Sequence, residues 1–361
     1  MKRHINFGSI KQFRDIVRDI EHLTRFEGKD VRTGKNIYNN NPLPVLTISG
    51  TEKIHGTNGA VCFNKLDGFW VQSKKKIITP EKDNAGCAFF CYQNEDAWKL
   101  LIHQLSSDYE IDLDKYTITI YFEFAGGNIQ KNSACSGLDK RAIILRRFKV
   151  SPINEESEEV AKWRSTFLPI KYHAVDYTDR NIFNILNYPK YEIKVDFNNP
   201  QEAVNTMLEL VDEIEKESPV GKAMGVDGNI GEGIVFEFWY KDTLHRFKVK
   251  GEKHAKGSGK VKTLKPVDTE KEKKKVDFVN NYACQEFRLD QMFTEIQNSK
   301  YNGDETQMSK KDIGDYLRLV FNDVLKEESN KLAELGLEPK EVSGMISKVA
   351  KDYFIDRLER F

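Results

Sequence analysis

The run Tyr116-Thr-Ile-Thr-Ile-Tyr-Phe-Glu-Phe124 constrains what this chain can fold into more than any other segment. β-branched and aromatic side chains fit a pleated surface, so a run this dense in them, stopped by Ala125-Gly126-Gly127, reads as a strand. A strand needs partners, and the chain supplies shorter runs of the same kind. Val45 to Ile48 and Gly59 to Phe63 are two, and Phe69 to Gln72 returns after the turn Leu66-Asp67-Gly68 as the second arm of a hairpin. Arg141 to Val150 is a further strand candidate. Gly233 to Trp239 and His245 to Lys250 form a last pair, joined by a turn at Tyr240-Lys-Asp-Thr243.

Helical spacing appears between and after these strands. Ile10, Phe13, Ile16, Val17 and Ile20 predict a helix after Ser9, followed by an Asn/Pro loop through Pro42. Another is expected around Asp96 to Leu105. Asn199-Pro200 opens one that carries Val204, Met207, Leu208, Val211 and Ile214. After Gly251 the composition turns Lys/Gly/Ser-rich and then runs Glu270-Lys-Glu-Lys-Lys-Lys275, which reads as an exposed basic linker. Beyond it the pattern is helical: Ser309 to Asp312 matches a capping box before Ile313, and Pro339 opens a helix with Val342, Met345, Ile346, Val349 and Tyr353. At 361 residues the chain is long for one domain. The expected division is an α+β domain over 1–265, a basic linker over 266–275 and a small all-α domain over 276–361.

Hydrophobic residues make up 39% and charged residues 31%, the balance of a globular chain rather than a disordered or membrane one. Lys and Arg total 56 against 56 Asp and Glu, but nucleic-acid binding follows where charge sits and not its sum. Basic stretches occur at Lys74-Lys75-Lys76, Lys140-Arg141, Arg146-Arg147 and from Arg246 through Lys275. The five cysteines are odd in number and have no paired CxxC spacing, which points away from a disulfide framework or a zinc site. Neither a signal peptide nor an apolar run of about 18 residues is present, and the expected setting is a reducing cytoplasm without membrane association.

The segment Glu52-Lys53-Ile54-His55-Gly56-Thr57-Asn58-Gly59 lies between two strand candidates and places a lysine beside a glycine on a short loop. A lysine amine is a nucleophile only once its proton is lost, and an ordinary pKa of about 10.4 leaves little free amine at neutral pH. Other cations must therefore lie close to it in the fold. Lys248 and Lys250, alternating on the last strand and so on one face of it, are candidates. Further motifs follow in order: Ser73-Lys74, Glu123-Phe-Ala-Gly126 with Ile129-Gln-Lys-Asn132, Arg147-Phe-Lys-Val150, Glu232-Gly-Ile-Val235 and Lys248-Val-Lys250.

Over roughly residues 45 to 260 this ordered set resembles the covalent nucleotidyltransferases, and within them the RNA ligase 2 family of phage nick-sealing and RNA-editing ligases. His55 with Thr57-Asn58 is similar to the RNA ligase version of the lysine motif, where DNA ligases and capping enzymes generally carry Asp two residues after the lysine. The resemblance implies an ATP-grasp-like adenylylation domain with antiparallel sheets, followed by a small helical domain. It also implies an ATP-dependent reaction in which Lys53 takes AMP covalently, the AMP passes to an RNA 5′-phosphate, and a 3′-hydroxyl displaces it. Mg²⁺ or Mn²⁺ would assist, with Glu232 as its ligand.

By the same resemblance Glu52 and the Ile54 backbone are expected at the adenine. Lys74 and Glu123 are expected at the ribose and its neighbours, Lys248 and Lys250 at the AMP phosphate, and His55 and Asn58 at the phosphates and RNA steps. The base-stacking slot falls to Phe148 or, in another alignment of Ile143-Ile-Leu-Arg-Arg-Phe148, to Leu145. Lys74 stands where the family usually has Arg, which loses a planar two-pronged grip. In the helical part, Lys300, Lys310, Lys311 and Arg318 are candidates to touch RNA phosphates. The expected partner is an RNA end, in a nicked duplex or a broken strand, bound by a monomer. Competing readings are a DNA ligase or a GTP-dependent capping guanylyltransferase of the same chemistry, and a catalytically silent nucleic-acid-binding module.

Overall fold

In the computed structural model, which describes residues 2–29, 36–131, 133–154, 166–170, 177–251 and 268–358, the chain divides into two compact units, Met1–Pro266 and Val267–Phe361. The first unit opens with α1 (Phe13–Arg25), whose first turn is held by a capping box between Gln12 and Asp15. A small hairpin of β1 (Phe26–Lys29) and β2 (Asn36–Tyr38) follows, where only a loop was expected. Then come β3 (Val45–Glu52), β4 (Thr57–Asn64), β5 (Gly68–Ser73) and β6 (Ile77–Ile78). Two helices, α2 (Cys87–Gln93) and α3 (Glu95–Asp108), precede β7 (Tyr116–Ala125) and β8 (Arg141–Pro152). After β9 (Thr166–Pro169), β10 (Ile182–Asn184) and β11 (Lys190–Asp196), α4 (Gln201–Lys216) and the short α5 (Pro219–Ala223) lead into β12 (Gly233–Tyr240) and β13 (Thr243–Lys250).

These strands make two sheets. The larger runs β10-β8-β7-β4-β5-β6 with β9 added on β8, and the smaller runs β11-β3-β12-β13. Pairing is antiparallel except between β10 and β8, which run parallel. β7 is interior to the larger sheet, and all of it except Glu123 is buried, which explains a near-continuous apolar run in place of alternation. One face of that sheet packs against α2 and α3, with Trp98 stacked 5.3 Å from Phe122. Its other face is crossed by the N-terminal segment: Gln72 grips both backbone groups of Ile5, which seats between Cys62 and Trp70. This strap then reaches the smaller sheet, where Lys11 accepts the Lys248 N–H at 3.1 Å. α1 and α4 cover the smaller sheet, Phe13 meeting Phe247 at 5.2 Å. The β12–β13 turn forms as expected, with Lys241 and Asp242 both at positive φ, the geometry a tight two-residue hairpin needs.

The second unit is helical around its own core of Phe293, Tyr316, Val320, Ile346 and Phe354. Its helices are Thr269–Phe278, Glu286–Tyr301, Ile313–Glu327, Ser329–Glu334 and Pro339–Leu358, with the Ser309/Asp312 capping box in place. One expectation is corrected here. Residues 269–275 are not linker but the first turns of a helix, capped by the Asp268 carboxylate on the Lys271 N–H, with Lys275–Glu272 and Lys274–Glu270 pairs along it. Charge alternation on a helix mimics a solvated linker in sequence because neither carries an apolar stripe. The Lys/Gly/Ser-rich stretch 252–267 and Asn132 lie outside the described residues. Among the described residues no helix is long and apolar enough to cross a membrane.

Candidate active site

Lys53 to Gly56 is the crossover by which the chain leaves the smaller sheet at the end of β3 and enters the larger at β4. Its position is fixed at both ends. The Lys53 N–H donates to the Gly233 carbonyl at 2.8 Å, tying the crossover to the first residue of β12. At the other end, a Cβ on Gly56 would lie 2.4 Å from the Phe124 carbonyl oxygen, so the crossover sits on the end of β7 at a distance only glycine permits. The Gly56 N–H donates to Glu123 Oε1 at 3.1 Å. Gly233, at φ +139°, lets the chain turn sharply out of Glu232, and a side chain there would meet the Val249 carbonyl.

Glu232 is the centre of the arrangement. Its carboxylate is almost fully buried; Oε2 lies 2.5 Å from Lys53 Nζ and 3.1 Å from His55 Nδ1, and Oε1 lies 2.5 Å from Lys250 Nζ. Burial alone pushes this carboxyl up, but His55, Lys53 and Lys250 together outweigh it and hold the group well below the usual carboxylate range. Lys248, on the same face of β13 as Lys250, has its pKa lowered, first by burial and then by Lys250, Lys53 and Lys74. Glu123 moves the other way, pushed up to about 7 by burial, with Lys53, the Gly56 N–H and His55 opposing. Asn58 faces Glu123 directly across the β4–β7 ladder and shares its side of the sheet.

Glu52, one residue before the lysine, points into the protein. Its Oε1 accepts from the Ser218 hydroxyl at 2.6 Å and its Oε2 from the Val220 N–H at 2.9 Å, so it ties β3 to the start of α5. Burial raises this carboxyl to about 7 despite those bonds. Ile54 lies in a small apolar cluster with Ala125, Ile143, Ile185 and Val220. Ser218 and Val220 were not singled out from sequence; Ser218-Pro219 is a helix-start signal, but nothing local says that the helix caps a carboxylate in another element.

Of the residues expected at a site, Lys53, His55, Glu232 and Lys250 are in direct contact. Glu123 joins through Gly56, and Lys248 and Lys74 join by charge. Lys74 is exposed on the turn after β5. Phe148, expected at the base-stacking slot, is wholly buried in the core, edge-on to Tyr109 at 5.3 Å. The β7–β8 ladder is irregular between Ile120 and Phe122, where Phe148 faces Ile120 and Ile144 faces Phe122; Ala142, Ile144, Phe148 and Val150 all turn to the same core. Leu145, in the irregular stretch, stays half-buried.

No family model and no curated protein matches the chain. Among solved structures, RNA ligase from Naegleria gruberi with PPi aligns at 14% identity and TM-score 0.40, over 70% of this chain and 57% of that one. A variant of that ligase with ATP and Mn gives 14% and 0.41, over 71% and 59%. Another with AMP and Mn gives 13% and 0.40, over 70% and 58%. The chain thus spans less than three fifths of the length of these ligases, its structural neighbours at low similarity.

Proposed function

We propose that this chain is an ATP-dependent RNA ligase of the RNA ligase 2 type, joining a 3′-hydroxyl to a 5′-phosphate through AMP carried on Lys53. The observation that carries this reading is the sharing of one buried carboxylate, Glu232, by Lys53, His55 and Lys250 at the junction of two sheets. The further cations beside Lys53, Lys248 and Lys250, give the surroundings that a phosphate-binding site requires.

In the first step the Lys53 amine gives up its proton and attacks the α-phosphorus of ATP; the P–N bond forms and pyrophosphate leaves. Lys248 and Lys250 are placed to meet the negative charge that gathers on the phosphoryl oxygens. In the second step an oxygen of an RNA 5′-phosphate takes the AMP and frees Lys53. In the third, a 3′-hydroxyl attacks the activated 5′-phosphorus and AMP departs. Glu52 holds β3 and α5 together beside the lysine, and Asn58 and Glu123 line the other side.

The donor set fits a divalent cation of the Mg²⁺ or Mn²⁺ kind. Glu232 and Glu123 are hard oxygen donors beside the lysine. That suits Mg²⁺, which is commonly held by one or two carboxylates with substrate phosphates completing its shell. When bound, the ion supplies charge neutralisation at the phosphates.

The test is covalent labelling. After treatment with pyrophosphate to strip any AMP already carried, the protein with Mg²⁺ and ATP labelled at the α-phosphate is expected to keep label through denaturing electrophoresis, and Lys53→Ala to keep none. An unlabelled wild type would overturn the ligase reading in favour of a nucleic-acid-binding module. Label from GTP in preference to ATP would move it to a capping enzyme.

A further inference from the structure

We propose that the lysine turn Lys74–Lys76 is a docking surface for the phosphodiester backbone of the RNA flanking the end being joined, with Lys75 and Lys76 as its contacts. This rests on the ligase reading of the neighbouring site.

The turn joins β5 to β6 and is held in shape by its neighbours. The Ser73 N–H closes on the Lys76 carbonyl at 2.8 Å, the Ser73 hydroxyl donates to that carbonyl at 3.2 Å, and His4 Nε2 lies 3.1 Å from the Ser73 carbonyl. All three lysines are exposed, and among the described residues no acidic side chain pairs with any of them. The turn also stands beside the site. Ser73 is the ladder partner of Gly59, and the preceding residue of β4, Asn58, is the partner of Glu123. Lys74 is near enough to Lys248 to lower its pKa. A fixed turn that presents unpaired ammonium groups at the edge of a cationic site suits a run of regularly spaced phosphates.

The helical unit offers a contrast. Two of its four expected RNA contacts are engaged: Lys300 lies 2.9 Å from Asp312 and 2.6 Å from Asp315, and Arg318 lies 3.1 Å from Asp315. Lys271, Lys275 and Lys331 are likewise paired, with Glu341, Glu272 and Glu334. Cations already neutralised release fewer counterions from a polyanion, so they add less affinity.

The experiment compares the full-length wild type with a Lys75→Ala/Lys76→Ala variant. Binding of a nicked RNA duplex bearing a 5′-phosphate is measured against salt, and labelling from ATP is measured alongside. The expected result is unchanged labelling, RNA affinity roughly tenfold weaker at low salt, and a log–log salt slope shallower by roughly two. Lys75→Arg/Lys76→Arg is expected to keep both the affinity and the slope. An alanine variant with wild-type affinity and slope overturns the inference, and so does a parallel loss of labelling and binding, which marks the turn as structural. Failure of the wild type to label sinks the ligase reading instead, a result independent of the salt slopes.

Discussion

Lys53 and Lys250 hold opposite oxygens of one carboxylate, each 2.5 Å from Glu232. They reach it from a crossover loop and from the end of β13, and the buried acid is what keeps two ammonium groups close together. Glu232→Gln keeps the shape and removes the charge. The expected outcome is a fall in the rate of AMP transfer of about 100-fold to 1000-fold with secondary structure retained, read by single-turnover labelling and circular dichroism.

Glu52 makes stability depend on pH. Burial raises its carboxyl from 4.5 to about 7, so the folded chain keeps a proton that the unfolded chain releases. The stability this contributes is complete below pH 4.5 and is lost as the pH climbs through about 7, a loss on the order of 3 kcal/mol. Glu52→Gln can donate to Ser218 and accept from Val220 without titrating. Thermal melts from pH 4 to 8 are expected to show a flatter curve for the variant and a higher melting temperature than wild type at pH 8. Parallel curves would remove Glu52 as the source.

Gly56 is expected to tolerate no side chain. A methyl group there would sit 2.4 Å from the Phe124 carbonyl, and the crossover would have to leave the end of β7. Gly56→Ala should cost about 1 to 3 kcal/mol in urea unfolding and reduce labelling from ATP, because Lys53 moves with the loop.

Phe148 should prove to be a core residue. Phe148→Ala is expected to destabilise by about 3 to 5 kcal/mol, while Phe148→Leu, assayed well below its melting temperature, leaves the KM for ATP within about twofold of wild type. A large rise in KM with stability intact would return the ring to the nucleotide.

Each unit encloses its own core, so truncation after Pro266 is expected to leave a folded protein that still takes AMP from ATP but seals RNA poorly. Equal loss of labelling and sealing would show that the first unit cannot do the chemistry alone.

Periodicity and turn chemistry are local, and they placed β7, the β12–β13 hairpin, α4, the Ser309 capping box and the helix at Pro339 close to where they lie. The nearness of further cations to Lys53 was legible in the alternation of Lys248 and Lys250, but the sharing of Glu232 by Lys53, His55 and Lys250 is set by the meeting of β3, β12 and β13. The burial of Phe148 was legible only in part: alternation along β8 sets it on the face of Ala142, Ile144 and Val150, but which face of the sheet α3 covers is decided by the tertiary structure. The partnership of Glu52 with Ser218 and Val220 was equally hidden, since a buried carboxylate takes its hydrogen bonds from whatever donor the fold brings near, here from more than 160 residues away. The helix over 269–275 was mistaken for linker because its stability comes from a cap and charge pairs and from packing of Phe278 into a core assembled by later helices. Residue order set which elements form and which chemistry is available, while the meeting of distant strands and loops set which side chains are exposed, which are paired and which titrate.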